Sequence, residues 1–317
     1  MNFSIEYIHE NDLSITRLTD NNTKTIVDII PQHGSILHAF TIQTPDGPLN
    51  VIDNYPDKKT ILQQLPVSFK SAKLSPFACR VNMGRYSWSD TIYEFPNKFI
   101  DGSAIHGLLS DQSFTVVNQF CTEEKASVHL QYEYNRTDPG YPFNYTCEII
   151  YSLFSNNTLQ LETRITNKDT TPIPIADGWH PYFTLGGKIN AYELQFTSDT
   201  MLEFNKALIP TGLLIPNASF KTITKIGDQT LDNCFQLTTN GSIPVCVLHN
   251  PFNRLSLFLY TDAHYPYLQI YTPDHRNSIA IENLSGAPDC FNNQMGLITL
   301  LPGKSQTFNV WYSLQLD

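Results

Sequence analysis

No cluster of lysine and arginine occurs anywhere in the 317 residues; twenty basic residues face thirty acidic ones, for a formal charge of −10. That balance has the wrong sign for the basic face of a nucleic-acid binder, so nucleic acid is excluded as the first partner. Charge of either sign is scarce, at 16% against roughly 25% in an average soluble domain. The hydrophobic share of 41% in turn excludes a disordered chain. No apolar run approaches the roughly 20 residues that a membrane-spanning helix needs. The first residues, Met1 to Glu10, hold no basic stretch followed by an apolar one, so no secretory signal is read and the expected address is the cytoplasm.

Metal and redox signatures are missing as well. The six cysteines, Cys79, Cys121, Cys147, Cys234, Cys246 and Cys290, form no Cys-x-x-Cys pair and have no histidine at zinc-finger spacing; scattered thiols in a chain of this size read as buried side chains. There is no His-Glu-x-x-His helix, no acidic calcium loop and no Gly-x-Gly-x-x-Gly turn, so neither a metal nor a nucleotide cofactor is expected. There is also no Gly-x-Ser-x-Gly elbow to mark an activated serine.

What is present is alternation. In Ser127 to Tyr134 the residues Val128, Leu130, Tyr132 and Tyr134 share one face, and in Thr158 to Ile165 the residues Leu159, Leu161, Thr163 and Ile165 do the same. A period of two is the mark of a strand with one buried face. Similar segments lie near 113–120, 145–154, 192–197, 243–249, 254–261, 267–272, 278–282 and 306–316, separated by turn formers such as Asp138-Pro139-Gly140, Asn156-Asn157, Gly186-Gly187, Asn240-Gly241 and Pro302-Gly303. The best helical candidate, Lys58 to Gln64, is bracketed by Pro56 and Pro66 and reads as a short connection. Many strands, almost no helix, no repeat and no linker predict an all-β protein: one large antiparallel β-sandwich domain spanning 1–317.

Five polar positions stand out against this background. Arg80 ends the mostly apolar approach Leu74 to Cys79, and reads either as a surface ion pair or as a cation held inside. His106, between Ile105 and Gly107, suits a turn as well as a site. His180 precedes Pro181, which biases it to extended backbone, and lies among Trp179, Tyr182 and Phe183, aromatics that either fill a core or stack on a sugar. Asp232 alone reads as a turn residue. Glu282 follows Ile279 and Ile281 in a pattern that breaks strict alternation, and a carboxyl among aliphatics has the raised pKa that a base working near neutrality needs. Two histidines, two carboxylates and one arginine together point to proton transfer on a hydroxylated ligand.

The segments Ser75 to Arg80 with Gly84 to Tyr86, Ile105 to Gly107, His180 to Phe183, Leu231 to Asn233, and Ile281 to Asn283 with Ala287 to Asn292 occur in an order that resembles the aldose 1-epimerase (galactose mutarotase-like) family. The surroundings of the two histidines, Ala104-Ile-His-Gly-Leu108 and Gly178-Trp-His-Pro-Tyr182, are similar to its broader bacterial subgroup. The resemblance implies a supersandwich with an open sugar cleft, no cofactor, and interconversion of the α and β anomers of a free hexose. It implies Glu282 as general base, His180 as general acid, and Arg80, His106 and Asp232 as residues that hold sugar hydroxyls. Other readings are a sugar-binding or sensory module that lacks turnover, a hexose 6-phosphate epimerase in which Arg85 helps hold the phosphate, and a hydrolase or lyase using Asp232 with Glu282. Oligomeric state is not readable from the chain.

Overall fold

The computed structural model describes residues 1–238 and 243–316; the expected Asn240-Gly241 turn lies outside the described residues. Two large antiparallel sheets carry the architecture. One has nine strands, in the spatial order Thr115–Cys121, Lys125–Asn135, Asn144–Phe154, Thr158–Asn167, Ser305–Leu316, Leu255–Thr261, Cys246–Asn250, Glu193–Phe196 and Thr224–Lys225. The other runs Pro210–Pro216, Ser198–Phe204, Asp232–Leu237, Tyr267–Tyr271, Ile279–Leu284, Gly178–Trp179 and Lys73–Leu74, with Tyr182–Phe183 also paired to Ile279–Leu284. Every segment expected to be a strand overlaps one of these. The alternation has its anticipated cause: in Thr158–Asn167 the buried residues are Leu159, Leu161, Thr163, Ile165 and Asn167, one face of the strand.

Aromatic side chains join the sheets across the sandwich. Ring centroids of Phe183 and Tyr312 lie 5.3 Å apart, those of Phe196 and Phe235 4.5 Å, and those of Tyr151 and Trp179 5.9 Å. Offset and edge-on pairs at such spacings stabilise a core beyond area burial alone. The Phe3–Glu10, Leu13–Asp20, Thr25–Ile30, Ile36–Thr44 and Gly47–Asn50 strands form a further five-stranded meander. Its Phe3, Leu18, Val27 and Phe40 enter the main core, while Leu13, Ile15 and Ile30 join a second cluster with Ile61 and Leu65.

The helix runs Lys58–Ser68 and passes through Pro66 instead of stopping before it. Asp57 caps its start by accepting from the Thr60 amide at 2.7 Å, and Phe69 ends it in the left-handed region, its N–H reaching the Leu65 carbonyl. Pro66 sits in the last turns, where its missing N–H forgoes only the bond to the carbonyl of Leu62, whose side chain is exposed. Buried Ile61 and Leu65 anchor the helix on the inner side, so packing outweighs that one lost bond. No helix among the described residues is long and apolar enough to cross a membrane.

The Ile279–Leu284 strand is buried at all six positions. Ile279 and Ile281 enter the core between the sheets, and Asn283 on that side lies 3.4 Å from the Tyr312 hydroxyl. Ala280, Glu282 and Leu284 point the opposite way. Alternation is therefore kept, contrary to the expectation from sequence. Both faces are covered, so apolar residues occupy both, as in any strand inside a layered core.

Candidate active site

Pairing register decides which side chains share the face with Glu282. Gln269 lies directly opposite Glu282, Cys234 opposite Gln269, and Asp232 opposite Tyr271; directly opposed residues of antiparallel strands point to one side. Tyr182 opposes Ala280 on the same face, which carries His180, two residues earlier, over Glu282. The His180 backbone is fixed on both sides: its N–H reaches the Ala72 carbonyl at 3.2 Å and its carbonyl accepts from Ser71 at 2.8 Å.

His106 arrives from another direction. The Arg80–Val81 and Ala104–Ile105 strands pair, and the His106 amide donates to the Cys79 carbonyl at 2.8 Å. His106 and Gly107 both have positive φ, 58° and 78°. A Cβ on residue 107 would stand 2.3 Å from the Ser75 carbonyl oxygen, so glycine is required for this close approach. Ser75 in turn accepts from the Leu108 amide at 2.7 Å. The His-Gly pair in the sequence is thus a tight bend that turns the His106 ring inward.

All five sequence candidates, Arg80, His106, His180, Asp232 and Glu282, line one open cleft of about 630 Å³. His180 Nε2 lies 3.3 Å from Glu282 Oε1. The His180 ring stacks on Tyr182 at 5.0 Å and meets His106 edge-on at 4.8 Å; His106 leans on Phe69 at 4.6 Å. Asp232 accepts from the Gln269 amide at 2.8 Å. Buried Nδ1 of both histidines, Oε2 of Glu282 and Oε1 of Gln269 have no protein partner. Unsatisfied buried polar atoms are costly, and four around one cleft are what a hydroxyl-rich ligand would satisfy.

Of the aromatics near His180, Tyr182 lines the cleft, whereas Trp179, Phe183 and Phe291 belong to the core. The structure adds residues that sequence reasoning passed over: Phe69 and Lys70 after the helix, Gln269 and Tyr271 from the sheet, and His275 from the turn that follows Tyr271. Gln269 had a signal, since it alternates with Leu268 and Ile270; nothing local marked the others.

Burial raises the Glu282 carboxyl well above its ordinary value, with Asp232 adding to the rise and Arg80 opposing it. Burial lowers His180 to about 4, and lowers His106 well below its usual value, helped by His180 and Arg80. Asp232 is raised by burial against the pull of Arg80 and the Gln269 hydrogen bond. The cations here are neutralised locally: Lys70 pairs with Asp53 at 2.8 Å and Arg80 with Asp101 at 3.0 Å. Arg85 is half-exposed, pairs with Glu94 at 3.5 Å, and is not among the lining residues. All six cysteines are free thiols and five are buried.

A family model described as aldose 1-epimerase matches residues 16–313. Among curated proteins, the chain is 26% identical to an Escherichia coli K12 protein named YihR, covering 78% of this chain and 81% of the relative. It is 25% identical to an aldose 1-epimerase of Streptococcus thermophilus, covering 98% of each. Among solved structures, a galactose mutarotase-like protein from Clostridium acetobutylicum superposes with a TM-score of 0.87 at 16% identity, over 99% of this chain and 98% of that one.

Proposed function

The chain belongs to the aldose 1-epimerase family, isomerases that act on carbohydrates, and from that premise we propose that it interconverts the α and β anomers of a free hexose with Glu282 as base and His180 as acid. The observation that carries this reading is the 3.3 Å contact between His180 Nε2 and Glu282 Oε1, two buried side chains in the cleft. The two oxygens that exchange protons in ring opening, O1 and O5, are bonded to the same carbon. A base and an acid side by side can reach both at once, whereas glycoside hydrolysis uses two carboxylates roughly 5–9.5 Å apart. The immediate partner of Glu282 is an imidazole.

In this mechanism Glu282 takes the proton of the C1 hydroxyl, the C1–O5 bond breaks, and His180 gives its proton to O5. The open aldehyde turns about C1–C2. O5 then attacks the other face of C1, His180 recovers its proton and Glu282 returns one to O1. Arg80, His106 and Asp232 hold the remaining hydroxyls, with Gln269 fixing the Asp232 carboxyl. The pair carries one proton throughout. At the open-chain stage that proton sits on Glu282 and His180 is neutral, the distribution that burial favours on both groups.

A pH profile follows. Activity requires one proton on the pair, so it falls on the acid side as His180 gains a second and on the alkaline side as Glu282 loses the last. Because burial lowers His180 to about 4, the acid limb of kcat/KM is expected well below the ordinary histidine value of about 6.5. Because Glu282 is raised, the alkaline limb lies above the carboxylate range. Polarimetric rates on α-D-galactose from about pH 4 to about pH 9 test this, and an acid limb at the unperturbed histidine value would contradict it.

The charge around the cleft supports an uncharged sugar. Asp232, Asp274 and Glu282 line it, and its two cations are already paired. Glucose and galactose are therefore expected to turn over at least tenfold faster, in kcat/KM, than glucose 6-phosphate, a discrimination of about 1.4 kcal/mol. Polarimetry on all three sugars decides it, and preference for the phosphate would reverse the assignment. Free thiols throughout support placing the enzyme in the reducing cytoplasm. A core cluster that draws on the meander and both large sheets supports reading 1–317 as a single unit.

A further inference from the structure

We propose that the cleft also holds a built site for a thiophilic divalent cation, formed by Cys79, His106 and Glu282. One ligand atom from each of the three lies within 4.8 Å of the others, and all three side chains are buried. A tetrahedral zinc ion with bonds of about 2.0–2.3 Å sets its ligands about 3.5 Å apart, so small side-chain rotations close the site. Thiolate, imidazole and carboxylate are each zinc ligands, and three protein ligands leave a fourth position for water.

Two further observations point to a ligand. His106 Nδ1 and Glu282 Oε2 are buried with no hydrogen-bond partner. The backbone also holds the cysteine against the histidine, since Cys79 has φ 51° and its carbonyl accepts the His106 amide at 2.8 Å. Binding is a ligand exchange without redox change: the Cys79 thiol and the Glu282 carboxyl each release a proton to solvent. The thiolate and carboxylate then offset the two charges of the ion. Sequence inspection missed the set because its members lie far apart in the chain and match no spacing motif.

Competition between metal and sugar rests on the catalytic reading, because Glu282 serves both. The ion therefore acts as an inhibitor. With cadmium as probe, the wild type is expected to show the near-ultraviolet band of a cadmium–thiolate bond at one ion per chain, and saturating galactose is expected to erase it. At ten times its dissociation constant the ion raises the apparent KM for galactose about tenfold. Cys79→Ser abolishes both effects. Cys121→Ser, which removes the one cysteine that is not fully buried, retains them.

An active wild type without the band, or a band that survives Cys79→Ser, overturns the site. Should Cys79→Ser not fold, calorimetry with zinc on wild type and on Cys121→Ser still decides, since absence of one-to-one binding in both refutes it. A band that galactose cannot erase keeps the metal site and counts instead against the sugar reading of the cleft, so the two failures are separable.

Discussion

Glu282→Gln is expected to lose roughly 10²–10⁴-fold in the rate at which freshly dissolved α-D-galactose or α-D-glucose changes its optical rotation, the usual contribution of a positioned acid or base. In free energy that is about 3–5.5 kcal/mol of transition-state stabilisation. The substitution keeps the shape and keeps an acceptor facing His180 at the 3.3 Å contact, but an amide cannot take the C1 hydroxyl proton. Stability should move the other way. A folded-state pKa raised above the unfolded one gives stability that is fully present below the unfolded pKa and is lost as pH rises through the folded one. The Glu282 carboxyl is raised in this way by burial; glutamine has no charge to bury. The variant should therefore melt no lower than the wild type at neutral pH, and its advantage should widen in alkaline buffer, on the order of 2 °C for each kcal/mol. Polarimetry and thermal melts of the same preparations read both effects. Turnover within tenfold of wild type would place the base elsewhere. A large fall in melting temperature would make Glu282 structural.

The outcomes at Glu282 and His106 show how far local sequence reaches. The strands around residues 125–167 were legible because their apolar residues keep mainly to one face, and in Thr158–Asn167 burial and alternation coincide. The meander of the first fifty residues was not among the expected strands. Its outer strand, Phe3–Glu10, buries fully only Phe3, so alternation there is weak. The Ile279–Leu284 strand misled in the opposite sense, since six buried positions hide the period. Pro66 reads as a stop from sequence, yet packing of Ile61 and Leu65 carries the helix past it. All five candidate residues do line one cleft; their shared residue types pointed to proton transfer, but only the resemblance gave each one a role. Each alone had an ordinary explanation, and Arg80 does make the ion pair, with Asp101, that the plainer reading offered. Alternation marked Gln269 as facing away from Leu268 and Ile270, but its place opposite Glu282 depends on strand register, and the Cys79–His106–Glu282 grouping depends on the left-handed bend at residues 106 and 107, long-range facts that no local window contains.

Lys73→Met is expected to cost about 3–5 kcal/mol of stability, the usual penalty for removing one partner of a buried ion pair. Lys73 and Asp177 are both fully buried and their charges meet at 2.5 Å. The Lys73 ammonium also donates to the Gly178 carbonyl at 3.1 Å and sits 4.5 Å over the Trp179 ring. Asp177 accepts from the Tyr265 hydroxyl at 2.6 Å, and its amide donates to the Ser285 hydroxyl at 2.7 Å. Without the ammonium, Asp177 must bury a lone carboxylate or take up a proton; burial already pushes its pKa upward, with Lys73 the main opposing influence. The network lies three residues from each proposed catalytic group, Asp177 before His180 and Ser285 after Glu282. It also ties together the strands that carry them. A fall of roughly 6–15 °C in melting temperature is therefore expected, accompanied by a lower kcat as the distance between His180 and Glu282 loosens. Lys73→Met with Asp177→Asn should recover part of the stability, because no unpaired charge remains and the asparagine still accepts from Tyr265. Urea melts of the single and double variants measure the coupling. Additive losses would mean that the two charges do not support each other, and an unchanged midpoint for Lys73→Met would remove this pair as the device that holds the catalytic strands in place.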